Sequence, residues 1–423
     1  MKKWLFLVAF TYLNATSITY LLDKIEDTPD YKIDRLSIEQ MRANKSAIRG
    51  SLFPKVSLFG TAEKYNVPTS MKPLLPTDSG KLIQTNSSLP FSKSIYKIGF
   101  NITMPIFIKE IYDNKKKVEH LLRASVFQAK INLIKKQAML VTYVSNLNYL
   151  YSLKSAIIKQ KSSIKKSYNA IKVGVDVGRI PEFKLLRLKD AITQINLKIS
   201  QINRNIIDIK SSIYKVTKVN LKSSIRVNSN RVPKGDFYAL KPLKESLKAN
   251  EYELKSKQDA FLPKVNLKVV GSRSFGEAYN TNDNITTNMA SAGLYVNWDI
   301  LNKKANGDIQ KAKVSRLKSQ LEIEKTKKDL SADIKKINQT INEIYKEIHY
   351  IKSSIKIKKE LLNGAKVAFR VDRMSVDEYL QYEDDLAKTR ADLANLYALK
   401  NSYKAQKGLI YGINLKRIFK WST

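Results

Sequence analysis

The chain contains no cysteine and only two histidines, His120 and His349. The first absence rules out disulfides, thiolate metal sites and lipid attachment through an N-terminal cysteine. The second leaves little material for acid–base or metal chemistry. His120 and His349 fall at non-equivalent places in a chain that, as shown below, repeats itself, and both read as helix-surface residues. No glycine-rich phosphate-binding loop occurs, so any energy for work must come from another protein. The sequence therefore calls for no enzyme, no cofactor and no metal. Acidic residues are scarce as well: 38 Asp and Glu stand against 76 Lys and Arg, a formal charge of +38. Such an excess points to anionic partners, whether nucleic acid, lipid headgroups or anionic cargo. The bases are spread along whole segments without interleaved aromatics, which disfavours nucleic acid. Beyond the N-terminus no stretch of 18 apolar residues occurs, so no membrane-spanning helix is expected.

What is present begins with "MKKWLFLVAFTYLNATS": two lysines, an apolar run from Trp4 to Leu13, and small residues at Ala15 and Ser17. That is the layout of a secretory signal, residues 1–17, cleaved after Ser17; the alternative is a buried N-terminal strand or helix. The run is too short to span a bilayer.

The remainder is written twice. "SLFPKVSLFG" from Ser51 is matched 209 residues later by "AFLPKVNLKVVG" from Ala260. "YKIGFNITMPIF", Tyr96 to Phe107, matches "ASAGLYVNWDIL", Ala290 to Leu301, and "VGRIPEFKLL" from Val177 matches "VDRMSVDEYL" from Val371, both at an offset of 194. Each half reads as short helix, strand, strand, long helix, turn, helix. The first repeat covers residues 18–226, with strands at about 52–65 and 94–107, a long helix at about 109–173 and a second at about 181–218. A linker follows at 227–240. The second repeat, 241–413, has strands at about 262–275 and 288–301 and helices at about 303–368 and 375–411, and leaves a C-terminal tail at 414–423. The offset shrinks because the first strand pair has a longer loop, Asn66 to Ile95. That loop holds Pro68, Pro73, Pro76 and Pro90 and reads as an irregular surface excursion.

The strands have two unlike faces. Tyr96, Ile98, Phe100, Ile102 and Met104 alternate with Lys97, Gly99, Asn101 and Thr103, and Ala290, Ala292, Leu294, Val296 and Trp298 alternate with small or polar residues. Nine alternating residues suit a half-buried strand of a soluble sheet, the commoner case for alternation taken alone, and also fit a strand crossing a membrane in a barrel, so context must decide. The helices carry a different signature. Leu188, Ile192, Ile195, Ile199, Ile202, Ile206, Ile209, Ile213 and Val216 run in unbroken steps of four and three, as do Leu330 to Ile355. A period of 3.5 sustained this long is a left-handed supercoiled seam. The Pro-free stretches Lys109–Lys172 and Lys303–Lys366 would each be roughly 95 Å long as helices. Four strands cannot close a membrane barrel, which needs about eight, and isolated long helices cannot bury their seams. Several copies would solve both problems, three of them supplying twelve strands.

In these residues the chain resembles the TolC family of outer-membrane ducts. The pattern is a Leu/Phe-Pro strand entry ("LFPKVSL", "FLPKVNL"), a strand exit ("MPIF", "WDIL"), a long helix, and a turn of the form Gly-x-x-Ser-x-x-acid-x-Leu, duplicated from about Tyr31 to Ile413. The resemblance implies an α+β membrane protein with long antiparallel coiled-coil helices and two β-hairpins, the latter giving four strands to a trimeric 12-stranded barrel. It implies a homotrimer in outer-membrane lipid with a large periplasmic part. Its partners would be a periplasmic adaptor and an inner-membrane transporter, with no nucleic acid. The turns depart from the pattern. In the first, Gly178 and Leu186 fit, but Pro181 replaces the Ser and Lys184 the acid. In the second, Ser375, Glu378 and Leu380 fit while Asp372 replaces the Gly.

Ser375 with Glu378 reads as a capping box, Pro181 suits a first helical turn, and Gly178 can take the positive φ after a helix end. Between Asp372 and Asp392 lie seven acids and three bases, an acidic tip on a basic chain. The family closes its tunnel there with carboxylates and ion pairs. Asp377 and Glu378 are accordingly the candidate rim acids, and Arg373 and Arg179 the candidate latch partners; a plain solvated helix face is the alternative. Like charges brought together around an axis would favour a cation or a readily opened latch. Gly178, Ile180, Pro181, Asp372, Met374 and Ser375 are the candidate adaptor contacts. The reading is a passive exit duct of a tripartite efflux or type I secretion system. The alternatives are a non-channel coiled-coil scaffold or nucleic-acid-compacting protein, and an extracellular filament or adhesin.

Overall fold

The computed structural model describes residues 17–225 and 227–420. The expected signal segment lies outside them except for Ser17, whose side chain caps the first helix by accepting from Tyr20 N at 3.1 Å. In chain order the elements are α1 (Ile18–Lys24), α2 (Pro29–Gly50), β1 (Lys55–Ser70), α3 (Pro76–Gln84), β2 (Phe91–Phe107), α4 (Lys109–Asp176) and α5 (Glu182–Thr217). After these come β3 (Asn228–Ser229), α6 (Leu240–Gln258), β4 (Lys264–Glu277), β5 (Asn284–Asn297), α7 (Lys303–Arg370), α8 (Val376–Ile410) and β6 (Phe419–Lys420). Among the described residues no helix is long and apolar enough to cross a membrane. Contacts divide the chain into two units. One holds the residues up to 37, Val126–Lys241 and those from 324 onward; the other holds Ile38–Ser125 and Pro242–Ile323.

The second unit carries a four-stranded antiparallel sheet in the order β1-β2-β4-β5. Its register explains the alternation in the sequence. Val56 sits opposite Ile102, Leu58 opposite Phe100 and Ala62 opposite Tyr96; Met104 faces Leu267 and Ile102 faces Val269; Leu267 faces Leu294 and Val265 faces Val296. Since side chains alternate between faces, these pairs share one apolar surface spanning all four strands, while Ser57, Lys97, Asn101, Thr103, Asn266, Lys268 and Ser291 share the other. Phe59 lies directly opposite Gly99, and Phe100 opposite Gly271. A Cβ at Gly271 would stand 2.5 Å from the Phe100 ring, so each glycine is a slot that an aromatic side chain from the next strand fills.

Strand limits differ from the sequence reading for physical reasons. β5 runs from Asn284 to Asn297 and not to Leu301, because the position opposite residue 298 is Pro263, which has no N–H to extend the ladder beyond Lys264 and Asn297. Trp298 instead donates its Nε1–H to the Phe261 carbonyl at 2.9 Å, leaving its ring exposed. The 66–95 excursion is largely ordered: β1 continues to Ser70, with its register broken between Lys64 and Thr69 around Pro68, and α3 begins at Pro76, whose missing N–H costs nothing at a helix start. His120 is also more than a surface residue. Its Nδ1 lies 2.7 Å from Glu245 Oε2, and its ring stacks on Tyr252 at 5.4 Å.

In the first unit the supercoiled seam is the core. Leu188, Ile195, Ile202, Ile206 and Ile213 of α5 are buried, and Ile192, Ile199, Ile209 and Val216 pack against them. At about 2 kcal/mol for each buried aliphatic side chain, the five contribute on the order of 10 kcal/mol before conformational entropy is subtracted. Ile134, Val141, Leu147, Ile157, Ile164 and Ile171 of α4 and Ile337 of α7 belong to the same cluster. The expected C-terminal tail is part of it too. Leu415, Ile418 and Phe419 are buried, β6 pairs with β3 inside the expected linker, and the Leu415 N–H donates to Gln137 Oε1 at 3.0 Å. So short a tail shows no period, so its role was not visible in the pattern.

Candidate functional site

Two helical turns, both in the first unit, carry the tip motifs. They close with the same backbone device although one uses glycine and the other does not. Arg179 N–H bonds to the Gly174 carbonyl at 2.8 Å, and Arg373 N–H to the Ala368 carbonyl at 2.9 Å, each a six-to-one closure of a helix C-terminus. The residue in the left-handed region is Gly178 (φ 73°) in the first turn and Asp372 (φ 58°) in the second. A left-handed conformation strains most side chains, and aspartate is among those that tolerate it. Pro181 is the N-cap of α5, one position earlier than expected, and contributes no side-chain cap. Ser375 caps α8 in full: its Oγ accepts from Glu378 N at 3.2 Å, and Glu378 Oε2 accepts from Ser375 N at 2.9 Å. These bonds hold the Glu378 carboxyl below its usual range, the Ser375 backbone N–H first and its hydroxyl second. Glu378 is thus engaged in capping.

Five of the other acids of the run, Asp372, Asp377, Glu383, Asp384 and Asp385, are paired. Lys184 binds Asp372, Arg187 binds Asp377 at 3.1 Å, and Lys198 meets Asp384 at 3.7 Å. Three cations of α5 therefore clasp the α7–α8 turn and α8. Lys358 of α7 meets Asp385 at 3.6 Å and Lys366 meets Glu383 at 3.5 Å. Asp377 finds its partner in Arg187 and not in the expected Arg373 or Arg179. Both of those arginines are exposed, and neither forms an ion pair among the described residues.

Behind the clasp lies a buried polar relay that sequence reasoning missed. Tyr379 is fully buried and stacks on Phe369 with ring centroids 4.7 Å apart. Its hydroxyl accepts from Ser167 Oγ at 3.0 Å and donates to Glu383 Oε1 at 2.9 Å, and Glu383 is only 3% exposed. Burial pushes the Tyr379 phenol up to about 12, so it stays a donor. The relay ties α4, α7 and α8 together within a turn or two of the tip.

Of the expected contact residues, Gly178, Pro181, Asp372 and Ser375 are exposed. Ile180 and Met374 instead fold back on the core, and Ile180 fills the space over Gly174, where a Cβ would stand 2.6 Å from its Cδ1. Exposed apolar residues at the tips include Val177 and Val371, at equivalent places in the two turns, with Phe183 and Leu186 at the start of α5. The repeated Val-x-Arg of the two matched stretches was the available signal for the valines.

No protein-family model matches the chain, and no curated protein matches it in sequence. Solved structures do match in fold. The Campylobacter jejuni CmeC outer-membrane channel superimposes with a TM-score of 0.77 at 14% identity, over 93% of this chain and 85% of that one. The outer-membrane protein VceC from Vibrio cholerae gives 0.78 at 11%, over 94% and 96%. The open state of the Neisseria gonorrhoeae MtrE outer-membrane channel gives 0.75 at 13%, over 96% and 91%. Doubled hairpins, doubled coiled coils and two matching turns over nearly the whole length give this chain the fold of these outer-membrane channels, as its resemblance to the TolC family implied.

Proposed function

We propose that the chain is an outer-membrane exit duct, assembled from three copies, through which substrates delivered by an inner-membrane pump leave the cell. The observation that carries this reading is the sheet. Among the described residues neither of its edge strands, β1 and β5, has an outer partner, and its apolar face lies bare, with Leu58 85% exposed. Long unpaired edges and a broad apolar surface on a soluble chain invite aggregation. Closure with the sheets of two further copies satisfies every edge, and a lipid surround accepts the apolar face. Twelve strands then enclose a lumen lined by the polar face of Ser57, Lys97, Asn101 and Lys268.

The tips support the periplasmic half of the reading. Each chain offers two equivalent turns with an exposed Val and an exposed Arg, Val177 with Arg179 and Val371 with Arg373, so a trimer presents six. A periplasmic adaptor with repeated sites would dock there, with Gly178, Pro181, Asp372 and Ser375 beside it. The ion pairs of α5 with Asp372, Asp377 and Asp384 would be the latch that holds the tunnel closed. The scaffold and nucleic-acid readings leave the bare sheet face unexplained.

Electron microscopy of detergent-extracted protein, averaged without imposed symmetry, tests the proposal. A hollow three-fold particle fractionating with the outer membrane is the expected result. Solid rods without a membrane-sized collar, or a protein extracted without detergent, would overturn it.

A further inference from the structure

A cleft of about 1280 Å³ opens in the first unit between α7, α8 and the segment after β3. Among the described residues five cations line it, Arg231, Lys234, Lys335, Lys404 and Lys407, and no Asp or Glu does. None of the five forms an ion pair among the described residues. Elsewhere in this basic chain the lysines are mostly solvated and need no partner. Here Lys404 is 7% exposed. Its ammonium donates to the Ser229 carbonyl and to Ser229 Oγ, both at 3.1 Å, and that of Lys407 donates to Asn338 Oδ1 at 2.6 Å. All of these acceptors are neutral.

An ammonium has three N–H donors, so Lys404 keeps one unused and Lys407 two. A charge taken out of water without a counter-charge is costly. Burial holds both lysines below their ordinary range, and Arg231 adds to the effect at Lys407. Ser331, Asn342 and Tyr345 bring further donors to the same walls. Convergent donors, surplus positive charge and no carboxylate are what an acceptor-rich anion requires. Charge-assisted bonds to phosphate oxygens are the strongest of this kind, and an arginine fork adds directional ones. The volume is of the size that holds an organic ligand and far exceeds a bare ion.

We propose that this cleft binds a phosphate-bearing anion, with Lys404 and Lys407 contacting its oxygens and Arg231 supplying a third charge. The proposal does not depend on the duct reading. Its test is calorimetric titration of the full chain in detergent with sodium pyrophosphate, at an ionic strength fixed with sodium chloride. Saturable binding at one site per chain is expected. Arg231→Gln, an exposed change that leaves packing intact, should weaken it about tenfold, and Lys404→Gln with Lys407→Gln by about a hundredfold. Dihexanoyl phosphatidic acid is the second probe: tighter binding than pyrophosphate assigns a phospholipid headgroup, and weaker binding a soluble phosphate. Absence of saturable binding by both probes, or unchanged affinity in Arg231→Gln and the double variant, would overturn the proposal. So would a map of the assembled protein with a carboxylate from a neighbouring copy seated in the cleft.

Discussion

Removing the clasp of α5 on the α7–α8 tip should loosen the tip without unfolding the protein. The perturbation is Lys184→Ala, Arg187→Ala and Lys198→Ala together, which deletes the partners of Asp372, Asp377 and Asp384. Arg187, Lys198 and the three acids are all more than half exposed, so each pair is worth only about 0.2–1 kcal/mol. Together they supply about 2 kcal/mol per chain, which shifts a closed–open ratio roughly thirtyfold. Three chains moving as one would compound that shift. The buried seam of α5 and the Tyr379 relay are untouched, so the folded state should survive.

Conductance across a planar lipid bilayer reads the effect. The triple variant should conduct more, or open more often, than the unaltered chain at low salt. In about 1 M KCl, where screening acts over about 3 Å, the unaltered chain should move toward the variant. Lys346→Ala is the control, since it breaks an exposed pair with Glu343 at 2.9 Å on α7 and should change nothing. Equal conductance of the triple variant and the unaltered chain, with assembly intact, would refute the assignment of these pairs as the latch.

Three further outcomes follow from particular contacts. Tyr379→Phe strands the Ser167 hydroxyl and Glu383 in a buried site and should cost about 1–3 kcal/mol in thermal or denaturant unfolding. Asp259, beside Asp113 and 3.5 Å from Lys109, has a carboxyl raised from 3.8 to about 6, chiefly by burial and next by its bond to Asp113, whose own carboxyl is lowered. The folded chain therefore holds the Asp259 proton more tightly than the unfolded one. This contribution to stability is full below about pH 4 and is lost as pH rises to about 6. Asp259→Asn should abolish the decline in melting temperature across that window, and a decline that persists would assign it elsewhere. Leu58→Lys places a charge on the bare sheet face, where nothing in the chain is disturbed. It should be neutral for a soluble sheet but cost about 2–4 kcal/mol of folding free energy in lipid bilayers if the face meets hydrocarbon.

The architecture was legible because it is periodic and written twice. Alternation of two along the strands, steps of four and three along α5 and α7, and proline at each strand entry are local signals, and duplication doubles each of them. The clasp was illegible for the opposite reason. Lys184 and Asp372 are 188 residues apart, and an exposed acid followed by an exposed base reads the same whether or not the two meet. Arg373 and Arg179, at equivalent places in the two turn motifs, were the expected partners, yet both lie in the turns, while Lys184, Arg187 and Lys198 lie along α5 beside α8. Phe419 and Leu415 escaped because so short a tail has no period to detect, and Gln137 because the Leu415 N–H it accepts from lies 278 residues away. What the pattern of a sequence encodes well is which surface an element buries. Which charged group reaches another across two helices depends on their relative rotation, and in this chain the tip chemistry is built almost entirely from such pairs.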